Sequence, residues 1–302
     1  MNPEGSLFQQ ILGSDVLICS NDAGGANILS SLISRLAIKP KYLLSGPAIN
    51  IFENKLGQIS LMKHAEGLKG IDLVLSGTSK NSNLEFDLMS FAESNGIRVI
   101  AVLDHWVNYR ERFIRHKKQI PIREIVTSDE LATEIAIAKF PEARIYQIPN
   151  YYLSDISDEY NSILANKMLG SDYYEYLYLG EPIQEDDDNY TYQEVDAIRY
   201  FIETIRIKHR IIPKILFRPH PSQTGHSFHS VVHSVYPEGV ISENQSLAQA
   251  FAYSNYVVGC NTMALTIAAS LGKKVYSTVP PPAISILPHE NIHKLITILD
   301  EN

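Results

Sequence analysis

Short apolar runs recur along the chain at nearly even intervals, each bounded by small or polar residues and followed by a stretch with apolar positions three and four apart. In the first half these runs are 15–20 (DVLICS), 41–45 (KYLLS), 72–75 (DLVL), 97–103 (IRVIAVL), 124–127 (EIVT) and 144–148 (RIYQI). Their length and β-branched content predict buried strands. Helical spacing predicts helices over 28–36, 83–94 and 129–139, with Leu84, Leu88 and Phe91 on one face of the second. The second half repeats the alternation. Strands are expected at 175–179, 215–217, 239–242, 256–259 and 274–277, and helices at 192–208, 246–251, 263–271 and 291–299. A polar, tyrosine-rich run from Pro149 to Asp172 reads as the crossing between two domains, 1–150 and 151–302. Strands that are apolar throughout and alternate with helices predict parallel sheets covered on both faces, an α/β, Rossmann-like fold in each half.

A chain of 302 residues gives each domain enough material for a core. Apolar content of 45% and charge content of 20% belong to a globular protein. No run of 18 apolar residues and no leader pattern is present, which predicts no membrane span and a cytoplasmic protein. The net charge of −8 argues against a broad nucleic-acid surface. Cys19 and Cys260 each end a predicted strand in a different half, so buried thiols are expected rather than a disulfide.

Chemistry gathers where predicted strands end, the edge at which open α/β sheets bind ligands. The run 215–222 (ILFRPHPS) delivers Arg218, His220 and Ser222 into a loop stiffened by two prolines, and these three carry donors suited to phosphate. The run 256–265 (YVVGCNTMAL) places Asn261 and Thr262 at a helix start, which reads either as a phosphate seat or as an ordinary N-cap. After 15–20 comes Asn21-Asp22-Ala23-Gly24-Gly25-Ala26-Asn27, a glycine loop in which Asp22 is either a reactive acid or a helix cap. Gly24, Gly25 and Asn27 are candidate substrate contacts there. Ser76 and Thr78 form a second small polar turn. The strand 97–103 delivers Asp104, His105, Trp106, Asn108, Arg110 and Arg112. In that segment an aromatic could wall a sugar and the arginines could meet phosphate, or the aromatics could pack inward with the charges solvated.

Neither a GxGxxG fingerprint nor a P-loop is present, and no cofactor is expected. The acidic run 185–188 reads as a solvated loop, and His226, His229 and His233 as one face of a surface helix. No metal is expected.

The HP pair after a strand, followed by a Ser/Thr turn before a later helix, resembles the donor half of bacterial GT-B-type glycosyltransferases, notably the sialyl- and Kdo-transferase group. The order AGGAN, SGT, LDHWVNYRERF, RPHPS and VVGC also resembles proteins encoded among surface-polysaccharide genes, and the transferases that build ribofuranose polymers look like one possible home. The resemblance implies two Rossmann-like domains facing across a cleft. It implies a donor that is a nucleotide sugar or phosphoribosyl pyrophosphate, its leaving phosphate held by the second domain, and a glycan or lipid-linked glycan acceptor. It implies a first-domain acid as base, with Asp22 favoured over Asp104, although a single acid stands where that group usually has two. A sugar-nucleotide epimerase or hydrolase of the same architecture is the alternative, and an inert binding module a third reading.

Overall fold

The computed structural model describes residues 3–62, 68–80, 82–166, 173–183, 191–223, 225–242 and 245–300. The chain divides into two compact units, Met1–Tyr152 and Leu153–Asn302. Each is an open, parallel α/β sheet. Among the described residues no helix is long and apolar enough to cross a membrane.

The first unit runs α1 (Pro3–Leu12), β1 (Val16–Ser20), α2 (Ala23–Leu36), β2 (Lys41–Leu44), α3 (Pro47–Leu56), β3 (Leu73–Ser76), α4 (Leu84–Ser94) and β4 (Arg98–Val102). A hairpin, β5 (Ile114–Arg115) and β6 (Lys118–Gln119), turns through His116 and Lys117, both at positive φ, before β7 (Glu124–Thr127), α5 (Glu130–Lys139) and β8 (Arg144–Gln147). The sheet order is β2-β1-β3-β4-β7-β8. The chain steps from β1 outward to β2 and then crosses back to β3 on the other side of β1, so the topological switch lies between β1 and β3, where parallel sheets place their ligands.

Alternation along each strand explains why both faces are covered. Ile18, Leu44, Leu75, Ile100 and Val102 join one core with residues of α1, α2 and α3. Leu17, Cys19, Leu43, Val74, Val99 and Ala101 join the other with residues of α4.

Helix α2 lies unusually close to the strand ends. A Cβ on Gly24 would stand 1.8 Å from Oδ2 of Asp104, and one on Gly25 would stand 3.2 Å from the Gly77 Cα. These glycines are therefore in the helix's first turn rather than in a loop, and the space in front of them is filled by protein. The N-cap position falls to Asp22.

The second unit takes most of α6 (Tyr151–Ala165), then β9 (Tyr174–Leu179), α7 (Glu194–Lys208), β10 (Ile215–Arg218), α8 (Gly225–Val235), β11 (Val240–Ile241), α9 (Leu247–Ala252), β12 (Ser254–Gly259), α10 (Met263–Ser270), β13 (Lys274–Ser277) and β14 (Ile292–Lys294). Its sheet order is β11-β10-β9-β12-β13-β14, all parallel, with the switch between β9 and β12. One face packs an aromatic core of Tyr176, Tyr178, Phe201, Phe217 and Phe228. The helices start where their caps dictate: Asp129 Oδ1 accepts from the Ala132 amide at 2.7 Å, and Ser246 and Gln249 form a capping box.

Several elements depart from the sequence pattern. The run expected to be a crossing contains α6, and α1 and α3 were not anticipated. Residues 291–299 form β14 and a 3-10 turn (Leu295–Asp300) instead of a helix, in keeping with their β-branched content. On α4 the buried face is Glu85, Phe86, Leu88, Met89 and Ala92, whereas Phe91 is 44% exposed. The acidic run 185–188 lies outside the described residues.

Two predictions follow from this packing. Glu124 is desolvated by burial, yet the two-point contact from Arg98 (2.6 and 2.5 Å) and the Tyr146 hydroxyl (2.9 Å) outweigh that and hold its pKa below the usual glutamate value. A depressed folded pKa gives stability that is present above the unfolded pKa and lost as pH falls through the folded one. Glu124→Gln should cost roughly 1–2 kcal/mol at pH 7, and urea denaturation should show the deficit vanishing below the ordinary glutamate range. Gly24→Ala should cost about 1–3 kcal/mol by overpacking, most of it removed when Asp104→Ala is made in the same chain. An equal cost in both backgrounds would show that Asp104 is not the obstacle.

Candidate functional site

Two sheet edges carry the candidate residues, one in each unit. In the first unit, Asp22 stands at the N-cap of α2 in extended conformation but makes no side-chain cap bond, so its carboxylate is not used up in holding the helix. Asn21 Nδ2 donates to its Oδ1 at 3.2 Å, and Asn21 Oδ1 in turn accepts from Ser45 Oγ at 2.8 Å. Burial raises the Asp22 pKa; a hydrogen bond from Ser79 opposes this, and the nearby Asp104 charge adds to it. Asp104 is bound differently. Its Oδ1 receives Arg112 Nη1 at 2.5 Å, and the same nitrogen donates to the carbonyl (2.7 Å) and hydroxyl (3.0 Å) of Thr78. The Thr78 hydroxyl donates to the Val102 carbonyl at 3.0 Å. This ties the ends of β3 and β4 together and fixes Asp104 as an anchored carboxylate beside Asp22.

Below that pair lies a residue that the sequence reading did not single out. Glu85, 1% exposed on the first turn of α4, accepts the Asn21 amide at 2.6 Å, while its second oxygen is buried without a hydrogen-bond partner. Burial pushes its carboxyl up to about 7, against the opposing pull of backbone amides and with the Asp22 charge adding to the rise. A helical pattern that counts apolar positions places glutamate on the solvent side, which is why Glu85 went unseen.

The second unit's edge centres on His220. Its Nδ1 accepts the Ser222 amide at 3.2 Å and lies 2.8 Å from the Ser222 hydroxyl. An amide can only donate, so the neutral ring carries its proton on Nε2. Burial lowers the His220 pKa to about 4, leaving the ring neutral with an Nε2–H donor at neutral pH. The loop is clamped from behind: Gln223 Oε1 accepts the His220 amide at 2.7 Å, and Gln223 Nε2 donates to Glu194 at 2.6 Å. The other Glu194 oxygen accepts the Glu181 amide at 2.8 Å, so one buried carboxyl spans the ends of β9 and β10. Burial raises it to about 7.

The remaining candidates are distributed as follows. Thr262 caps α10, its hydroxyl oxygen accepting from the Ala264 amide at 3.3 Å. Asn261 is buried, and its side-chain carbonyl oxygen accepts from the Ser285 hydroxyl (2.9 Å) and the Ile286 amide (3.0 Å), so it holds a neighbouring loop. Arg218 donates to the Gln245 carbonyl ahead of α9, and Ser222 is engaged in orienting His220. Trp106 is buried with its indole N–H on Asp129 at 3.0 Å, so it packs inward against the loop. Its own amide donates to His105 Nδ1 at 3.0 Å. Ser76 is buried with its hydroxyl on the Gly77 carbonyl, Arg110 donates to the Lys139 carbonyl, and Arg112 is committed to Asp104 and Thr78. Asn108 sits at φ +57 in the turn, and Asn27 is half-buried on α2. Among the described residues no cluster of three or more His, Cys, Asp or Glu could hold a metal ion.

No protein-family model matches the sequence, and no curated protein matches it. Solved structures do match the fold. A UDP-GlcNAc 2-epimerase from Methanocaldococcus jannaschii, in complex with UDP-GlcNAc and UDP, is 13% identical over 87% of this chain and 83% of its own, with a TM-score of 0.59. A putative UDP-N-acetylglucosamine 2-epimerase from Listeria monocytogenes is 11% identical over 86% and 78%, with a TM-score of 0.54. The wall teichoic acid polymerase TagF is 13% identical over 87% and 69%, with a TM-score of 0.51. With two six-stranded parallel sheets in sequence, the chain has the GT-B-like α/β fold of these enzymes.

Proposed function

We propose that this chain is a glycosyltransferase of surface-polysaccharide assembly, moving a sugar from an activated phosphate donor to a glycan hydroxyl. The observation that carries the reading is His220: a neutral ring pinned through Nδ1 and presenting Nε2–H at the carboxyl edge of a parallel sheet. A neutral donor of fixed orientation suits the oxygen of a leaving phosphate, whose negative charge grows as the anomeric carbon–oxygen bond breaks. The N-terminus of α10, in the same unit, adds the positive end of a helix dipole to that edge. In the other unit, Asp22 has the raised pKa suited to a general base. It takes the acceptor hydroxyl proton as that oxygen bonds to the anomeric carbon, and Asp104, held by Arg112, orients the sugar.

A second reading is favoured by the fold likeness to the archaeal epimerase and by the two carboxylates of one unit. A sugar-nucleotide epimerase or hydrolase would move a proton or water with the donor alone. Incubating nucleotide sugars and phosphoribosyl pyrophosphate with and without glycan acceptors separates the readings. Acceptor-dependent release of nucleotide or pyrophosphate supports transfer. Turnover without acceptor supports the second reading, and binding without turnover a mere binding module.

His220→Ala should lower turnover by about 100-fold while the fold survives, and a wild-type rate would remove His220 from the mechanism. Asp22→Asn should abolish transfer with donor affinity retained. The wild-type kcat/KM should rise with pH through a value above the ordinary aspartate range, with no further limb from His220, which is already neutral above about 4.

A further inference from the structure

We propose that Glu85 is a positioning residue for Asp22: its Oε1 holds the amide of Asn21 from beneath the turn, and its buried, unpartnered Oε2 ties the ionisation of Glu85 to the charge of Asp22. This rests on the reading of Asp22 as the base, but the coupling itself needs no substrate.

The geometry leaves little else for Glu85 to do. It lies on the first turn of α4, where a carboxylate favours the helix dipole, yet it is 1% exposed and its Oε1 reaches across to the turn after β1. A glutamine there would accept the Asn21 amide equally well, and an apolar residue would avoid burying an orphaned oxygen. What the carboxyl adds is an ionisation. The titratable groups that face it are Cys19 on β1 and Asp22 at the start of α2; Asp22 in turn feels Asp104 from the end of β4 and Arg112 from the following turn. Asn21 ties the pair together, its amide on Glu85 and its side-chain Nδ2 on Asp22. Two carboxyls that share a linking residue in a desolvated turn titrate as a pair, and each proton bound by one eases ionisation of the other.

The test is a titration of the side-chain carboxyl carbons by NMR in the wild type, in Glu85→Gln and in Asp22→Asn. Glu85→Gln keeps the Asn21 acceptor and removes the charge. Asp22→Asn should lower the Glu85 midpoint by at least about half a pH unit, a threefold change in proton affinity, whereas Glu85→Gln should remove the upper step and leave the Asp22 midpoint, reached while Glu85 is still protonated, nearly in place. A Glu85 midpoint unmoved in folded Asp22→Asn would overturn the proposal. If Glu85→Gln fails to fold, the Glu85 shift in Asp22→Asn decides alone. With an active donor in hand, Glu85→Leu should lower kcat because it releases the Asn21 amide, and Glu85→Gln, which keeps that acceptor, should restore it. A coupling seen by NMR in a protein that turns over no donor would leave this inference standing and remove the catalytic role of Asp22.

Discussion

A parallel strand that ends under a layer of helices leaves an amide just past its end with no ladder partner, and a buried amide without an acceptor is costly. Both units of this chain meet that constraint in the same way. Past β1 the amide of Asn21 is met by Glu85, and past β9 the amide of Glu181 is met by Glu194. In each case the acid comes from the start of a helix, and in each case the strand concerned is the one at which the sheet order reverses. The chemistry of both edges is hung on these contacts, since Asp22 follows Asn21 directly and the His220 loop is reached through Gln223 from Glu194.

The first unit's edge is dense because its backbone elements approach so closely. Gly25 lies against Gly77, and Gly24 lets the Asp104 carboxylate rest on the helix. That approach is possible only without side chains, and it brings three acids of different character together. Asp104 is neutralised by Arg112, Asp22 is half-buried with a raised pKa, and Glu85 is sealed beneath. Pairs of acids whose surroundings push their pKa values apart are a recurrent way of assigning different roles to one functional group.

Much of this was legible in the residues. Strands such as Arg98–Val102 and Ile215–Arg218 announce themselves because a parallel strand is apolar on both faces, and the polar loops after them mark the edge. The fold class follows from that alternation. What could not be read was anything decided across space. Trp106 looked like a sugar platform beside Asp104, but the partner that claims its N–H, Asp129, lies far along the chain. Asn261 stood correctly at a helix start, while its side chain answers to a loop beyond residue 280. The polar, tyrosine-rich start of α6 hid a helix because few of its positions are buried. Glu85 was missed for the opposite reason, as a charged residue on a buried face.

The pair of buried glutamates also bears on how the chain acquires its structure. Each is raised to about 7 by burial, whereas in an unfolded chain it would titrate as an ordinary glutamate. A group whose folded pKa is raised contributes stability that is complete below the unfolded value and fades as pH climbs through the folded one. Between those limits each of these glutamates takes up a proton as its unit folds. In the second unit the proton that His220 gives up, its ring being lowered to about 4, offsets that uptake at mildly acidic pH, and in both units the buried glutamates hold the polar turns at some expense of stability on the alkaline side of neutrality.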